Sequence, residues 1–132
     1  MKKILFPLFT ILLLTACKKE DISNCDNQDP RLPASKAWSG MVSQDNYSDY
    51  GISVTFTCGF ESANVAYSGL CGATWTLKSK NGNTYVYHED VDSNRCVDDC
   101  TVTIEFLDNN TLKYQDVCLN YGVSAHGTLF PQ

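Results

Sequence analysis

A strict period of two runs through the second half of the chain. Val102, Ile104 and Phe106 alternate with Thr101, Thr103 and Glu105. Side chains two residues apart share one face of an extended strand, whereas a helix face needs spacings of three and four. Val54, Phe56 and Cys58 alternate in the same way with Thr55 and Thr57, and Val65 pairs with Tyr67. Trp75 and Leu77 repeat the pattern, and Tyr85-Val86-Tyr87-His88-Glu89 is aromatic and β-branched. Leu112 and Tyr114 follow, then Ala125, Gly127 and Leu129, while the stretch from Trp38 to Ser43 supplies a first strand. Turn signals at Asn81-Gly82-Asn83 and Asp108-Asn109-Asn110 sit between strands in the manner of tight hairpins. About eight strands in hairpin order, with neither an amphipathic helix nor an internal repeat, predict an all-β domain. It is a single antiparallel barrel or sandwich over residues 37–132.

The first seventeen residues read MKKILFPLFTILLLTAC. Two lysines, a short apolar stretch and small residues before a cysteine describe an export signal rather than a membrane span. Leu14-Thr15-Ala16-Cys17 resembles the bacterial lipobox. That resemblance implies cleavage after residue 16 and a lipid on Cys17. Several acyl chains at ~0.8 kcal/mol per buried methylene make a permanent anchor. Residues 17–36 are polar, carry Pro30 and Pro33, and read as a tether. Lys18 stands where an inner-membrane retention signal would have Asp, and Lys19-Glu20-Asp21 resembles a surface-export tract. The expected location is the outer membrane of a Gram-negative bacterium, lipid-anchored and facing outward.

Seven cysteines become six once Cys17 is given to the lipid: Cys25, Cys58, Cys71, Cys96, Cys100 and Cys118. An even set in a small exported domain reads as three disulfides, with fifteen pairings open. Cys96 and Cys100 are four apart, which is not a zinc knuckle, and the chain has no Cys-x-x-Cys for redox work.

From Ala37 onward the chain holds four basic and eleven acidic residues, a net charge of −7. Such a domain repels nucleic acid, and any partner chosen by charge is basic or a cation. Solubility alone is the plainer reading of the same imbalance.

The strand pattern resembles a known one. Trp38-x-Gly40, Val65-x-Tyr67, Cys71-x-x-x-Trp75-x-Leu77, Tyr85-x-Tyr87-x-Glu89, Cys96 and Val102-x-Ile104-x-Phe106 lead into Leu112-x-Tyr114 and Ala125-x-Gly127-x-Leu129. This is similar to the small lipocalin-like β-barrel domains of bacterial lipoproteins. The resemblance covers most of residues 38–129 and implies fold rather than activity. It also implies a Cys71–Cys96 disulfide, with Cys100–Cys118 and Cys25–Cys58 as the accompanying choice.

Trp38, Tyr67, Trp75, Tyr85, Tyr87 and Tyr114 face inward on this reading. An eight-stranded barrel either fills with such side chains or holds one small ligand, and in so short a chain filling is the first expectation. Glu89 shares a face with Tyr85 and Tyr87, so it is an inward carboxylate in need of a partner, for which Arg95 is the candidate. Asp90, Asp92 and Asn94 open like a calcium loop, which Asp98 and Asp99 would complete. Arg95 and Thr101 then break the pattern where Gly and Glu belong, so a solvated acidic loop is the preferred reading. His88 and His126 read as surface residues. The chain has no nucleophile elbow, zinc-protease motif or phosphate loop, and no cofactor is called for. The expected role is non-catalytic: a binding module on the cell surface for a basic protein or an envelope component. The alternatives are a carrier of a small apolar ligand and an inhibitor of a basic host protein such as lysozyme. The oligomeric state stays open.

Overall fold

A computed structural model of the chain describes residues 36–132; of Cys58 it describes the backbone. The lipobox, Cys17, the tether and Cys25 lie outside the described residues, and with Cys25 goes the proposed Cys25–Cys58 bond.

Eight strands follow one another in chain order. They are β1 (Ala37–Gln44), β2 (Tyr50–Phe56), β3 (Ser62–Tyr67), β4 (Cys71–Asn81), β5 (Thr84–Val91), β6 (Cys100–Asp108), β7 (Thr111–Cys118) and β8 (Val123–Pro131). Each pairs antiparallel with the next, and β8 returns to pair with β1. Of the two architectures the alternation allows, the closed barrel forms and the sandwich does not. Closure leaves no strand edge open to another chain.

The seam between β1 and β8 explains why closure is possible. Gly40 and Gly127 occupy positions whose Cβ atoms would sit 2.2 Å from the Thr128 carbonyl oxygen and 2.5 Å from that of Met41. Any larger residue there would force the two strands apart. The tight turns fall where the sequence places them. Asn81 pairs with Thr84, and Gly82 takes the positive φ of 58° that the turn requires. At the β6–β7 turn the Asp108 carboxylate accepts from the Asn110 backbone N–H at 2.7 Å.

One stretch departs from the alternation. The alternation predicts a strand continuing through Cys58, but β2 stops at Phe56, and Cys58–Phe60 form a short 3-10 turn. The chain bends there so that the Phe60 ring plugs one end of the barrel. That ring stacks on Tyr85 at 4.7 Å and meets Phe56 and Phe106 at 5.6 and 5.7 Å. Phe60 holds a φ of 63°, uncommon for a bulky side chain. Its amide donates to the Thr57 carbonyl at 3.1 Å, and the Tyr87 hydroxyl donates to its carbonyl at 3.0 Å. A geometry that local preference opposes is thus fixed by packing and two hydrogen bonds.

The core fills this end and the waist of the barrel. Trp38, Trp75, Tyr87 and Tyr114 have no exposed surface, and Tyr85 and Phe106 have almost none. Trp75 lies flat against Tyr114, with ring centres 5.8 Å apart, and Trp38 meets Phe106 edge-on at 5.4 Å. Such pairs add roughly 0.5–1.5 kcal/mol each beyond the area they bury. Two disulfides, Cys71–Cys96 and Cys100–Cys118, staple the opposite end.

Candidate functional site at the barrel mouth

The opposite end does not fill. The four loops β1–β2, β3–β4, β5–β6 and β7–β8 surround a cavity of about 280 Å³. Its wall includes Gln44, Tyr47, Tyr50, Tyr67, Leu70, Arg95, Val97 and Val123, and two carboxylates, Glu89 and Asp116, line it.

Glu89 ends the inward row Tyr85-Tyr87-Glu89 on β5 and is 2% exposed. Its Oε2 accepts a hydrogen bond from the Trp75 indole N–H at 2.6 Å and another from the Tyr67 hydroxyl. The Tyr67 and Tyr114 hydroxyls stand 3.4 Å apart, which extends the network across the barrel. Loss of solvent raises the Glu89 carboxyl above its ordinary range, and the Tyr67 and Trp75 hydrogen bonds pull it part of the way back. The buried carboxylate thus takes its partners from β3 and β4. Arg95, the partner expected from the sequence, instead donates to the Gly69 carbonyl at 3.0 Å across the rim.

Asp116 is the residue that sequence reasoning missed. It continues the inward row Leu112-Tyr114-Asp116 on β7 and is 8% exposed. Its Oδ1 is buried with no hydrogen-bond partner among the described residues. Desolvation and then repulsion from Glu89 push its carboxyl up to about 7. The signal was available: an acid two residues beyond Tyr114 keeps the parity of the core. Tyr50 stands over the same space and donates from its hydroxyl to Gln44 Oε1 at 3.1 Å. Burial, then the Asp116 and Glu89 charges, raise that phenol to about 12, so it remains a donor at neutral pH.

The other sequence-derived candidates divide cleanly. Trp38, Trp75, Tyr85, Tyr87 and Tyr114 are core, while Tyr67 and Glu89 reach the cavity. The acidic loop does not gather around one point. Asp92 accepts from the Gly72 backbone N–H at 3.0 Å, Asp98 from that of Val91 at 3.0 Å, and Asp90 lies 3.3 Å from His88 Nε2. Those backbone hydrogen bonds, from Val91 and Asp99, hold the Asp98 carboxyl below its usual range. His88 bridges Asp90 and Asp99 on the outer wall, and His126 also sits outside. Among the described residues, three potential metal donors come within 4.8 Å of one another at Cys100, Asp116 and Cys118. Both sulfurs are tied in the disulfide, which removes the thiolates a metal would need.

The rim differs from the closed end in kind. Leu119, Tyr121 and Tyr47 stand exposed on the adjacent β7–β8 and β1–β2 loops. These loops are joined by the Asp45 amide donating to the Ser124 carbonyl at 3.1 Å and the Ser124 hydroxyl donating to Asp45 at 2.7 Å. Of the turns at the far end, Gly82-Asn83 and Asn109-Asn110 are polar, whereas the β2–β3 turn carries the inward Phe60 ring, and Leu107 stands exposed beside the β6–β7 turn. No protein-family model matches the chain, and no curated protein is similar enough to count as a match.

Proposed function

We propose that this chain is a lipid-anchored surface protein whose barrel mouth is a non-catalytic binding site for a basic or cationic partner. The observation that carries the reading is the mouth itself. A cavity floored by two buried carboxylates has Tyr47 in its wall, and the exposed side chains of Leu119 and Tyr121 stand on the β7–β8 loop that borders it. Burying a carboxylate with one oxygen left unpartnered, as at Asp116 Oδ1, costs stability, and a folded chain that keeps one has a reason outside its own packing. The net charge of −7 over residues 37–132 favours encounter with cations from any direction. A packed closed end and two staples fix the loops, so little ordering cost falls on binding.

The cavity bears on the two alternatives as well. About 280 Å³ falls just below the usual range of pockets for drug-sized ligands, and its acidic floor opposes a wholly apolar cargo. Inhibition of a basic protein such as lysozyme draws support from the charge and from the apolar rim. The test is an NMR titration of the isotope-labelled full chain, with lysozyme and, separately, with an aliphatic alcohol as apolar cargo. Amide shifts at residues 44–50, 67–70, 95–97 and 119–123 with lysozyme support the reading. Shifts confined to the closed end, or uptake of the alcohol alone, overturn it.

A further inference from the structure

We infer that the mouth cavity recognises a primary ammonium group, seated on Asp116 and Glu89, with the carbon skeleton that bears it held against Tyr47, Tyr50 and Leu70. This rests on the mouth being a binding site and adds the chemistry of what enters it.

Asp116 Oδ1 is an acceptor buried in the cavity wall with no hydrogen-bond partner among the described residues, while the Val117 backbone N–H serves the same carboxylate. The donors around it are already engaged: Tyr50 on Gln44, Tyr67 and Trp75 on Glu89, Arg95 on Gly69. What the site lacks is a donor, and a positively charged one, because a second carboxylate shares the space. An ammonium brings three donors on a compact head, enough for Asp116 and Glu89 together. A hydroxyl would bring one donor and no charge, and a carboxylate would add a third acid. The tyrosine rings at the rim suit the cation further, since their faces attract positive charge. Arg95, the one basic residue lining the cavity among the described residues, is held at the rim by Gly69, so the floor stays open to a cation.

Seating a cation has a proton balance. Asp116 titrates near 7, so close to neutrality part of the population carries a proton that must leave for solvent when the ammonium docks. The groups that face Asp116 are Glu89 on β5, Tyr50 on β2, Tyr67 on β3, Tyr114 on its own strand and Arg95 at the rim. The three phenols, each raised above its ordinary range, stay neutral near pH 7. The proton therefore comes from the two carboxyls, and binding tightens as the pH rises through about 7.

The experiment is calorimetric titration of the full oxidised chain in detergent with benzylamine, benzyl alcohol and benzoate. A fourth arm is a capped Gly-Lys-Gly peptide, which carries the same ammonium on a polypeptide. Benzylamine or the lysine peptide binding in preference to the alcohol and benzoate supports the inference. So do binding weakened about tenfold or more in Asp116→Asn and affinity higher at about pH 8 than at about pH 6. Which of the two amines binds tighter tells a free small amine from a protein lysine. Benzyl alcohol binding as well as benzylamine, unchanged by Asp116→Asn but lost in the mouth-blocking Val123→Trp, overturns the ammonium and keeps the mouth as a site. Binding of every probe indifferent to Val123→Trp, or no binding at all, overturns both.

Discussion

The two ends of this barrel are built on different principles. At the closed end the strands alternate as binary patterning demands, and every inward position is apolar or aromatic. Trp38, Phe56, Phe60, Tyr85 and Phe106 interlock there, and even a strained Phe60 backbone is accepted to complete the plug. At the mouth the same alternation continues, but the inward positions become Glu89 and Asp116, and the space above them stays open. One end spends its residues on packing. The other gives up packing for two buried carboxyls and carries both disulfides. The difference shows that a barrel this small has room for a site only by leaving part of its interior unfilled.

That contrast is testable by perturbing the two ends separately. The largest effect is expected at the closed end. Phe106→Ala removes a ring that touches Trp38, Phe56, Phe60 and Tyr85, and should cost about 4 kcal/mol in denaturant unfolding. A loss below about 1 kcal/mol would mean that the plug is not the stabilising half.

Next comes the staple at the mouth. Replacing Cys100 and Cys118 together by alanine opens a link between residues 18 apart in sequence and should cost about 3 kcal/mol, read from the unfolding midpoint. If this change proves harmless, the mouth is held by something other than its disulfides.

The third prediction has the opposite sign. Asp116 is raised from 3.8 to about 7 in the folded chain, so between those values the folded state binds more protons than the unfolded state. Stability conferred by the protonated form is complete below about pH 4 and is lost as the pH climbs through about 7. Glu89 is shifted in the same direction and adds to the trend. Stability should therefore fall from pH 5 to pH 8 by this contribution, on the order of 2–3 kcal/mol, with thermal midpoints falling in step. Asp116→Asn should flatten the profile and stabilise the protein by about 2 kcal/mol at pH 8. A profile that rises with pH, or an Asn variant weaker than the parent at pH 8, would break the idea that the mouth trades stability for function.

The smallest effect belongs to the rim. Tyr47→Ala removes a side chain that is 55% exposed, and stability should stay within about 0.5 kcal/mol. Its consequence should appear in binding at the mouth instead. A large stability loss here would erase the distinction between rim and core.

Much of this architecture is legible in the sequence because strand pairing between neighbours is local. Val102, Ile104 and Phe106 declare their face by parity alone, and Gly82 and Asp108 declare their turns by the backbone shapes they stabilise. Glu89 was placed inward by the same parity. What parity does not carry is distance across the barrel. The partners of Glu89 arrive from β3 and β4, so Arg95, nearer in sequence, was the natural but mistaken choice. Closure against a sandwich depends on Gly40 lying against Thr128 and Gly127 against Met41, across a seam that joins the two ends of the domain. The turn at Cys58–Phe60 hides for a similar reason, since the rings that reward its bend come from β2, β5 and β6. Asp116 hides although its parity matches Leu112 and Tyr114, because an acid usually marks a solvent face and the apolar alternation on β7 ends at Tyr114.

The most direct test of the account is the titration of the Asp116 side-chain carbon by NMR in the oxidised chain. A desolvated acidic mouth predicts a midpoint near 7, shifted downward when benzylamine is added. A midpoint near the ordinary 3.8, unmoved by the amine, would mean that water reaches this carboxylate freely, and the mouth would then be no more than an open rim.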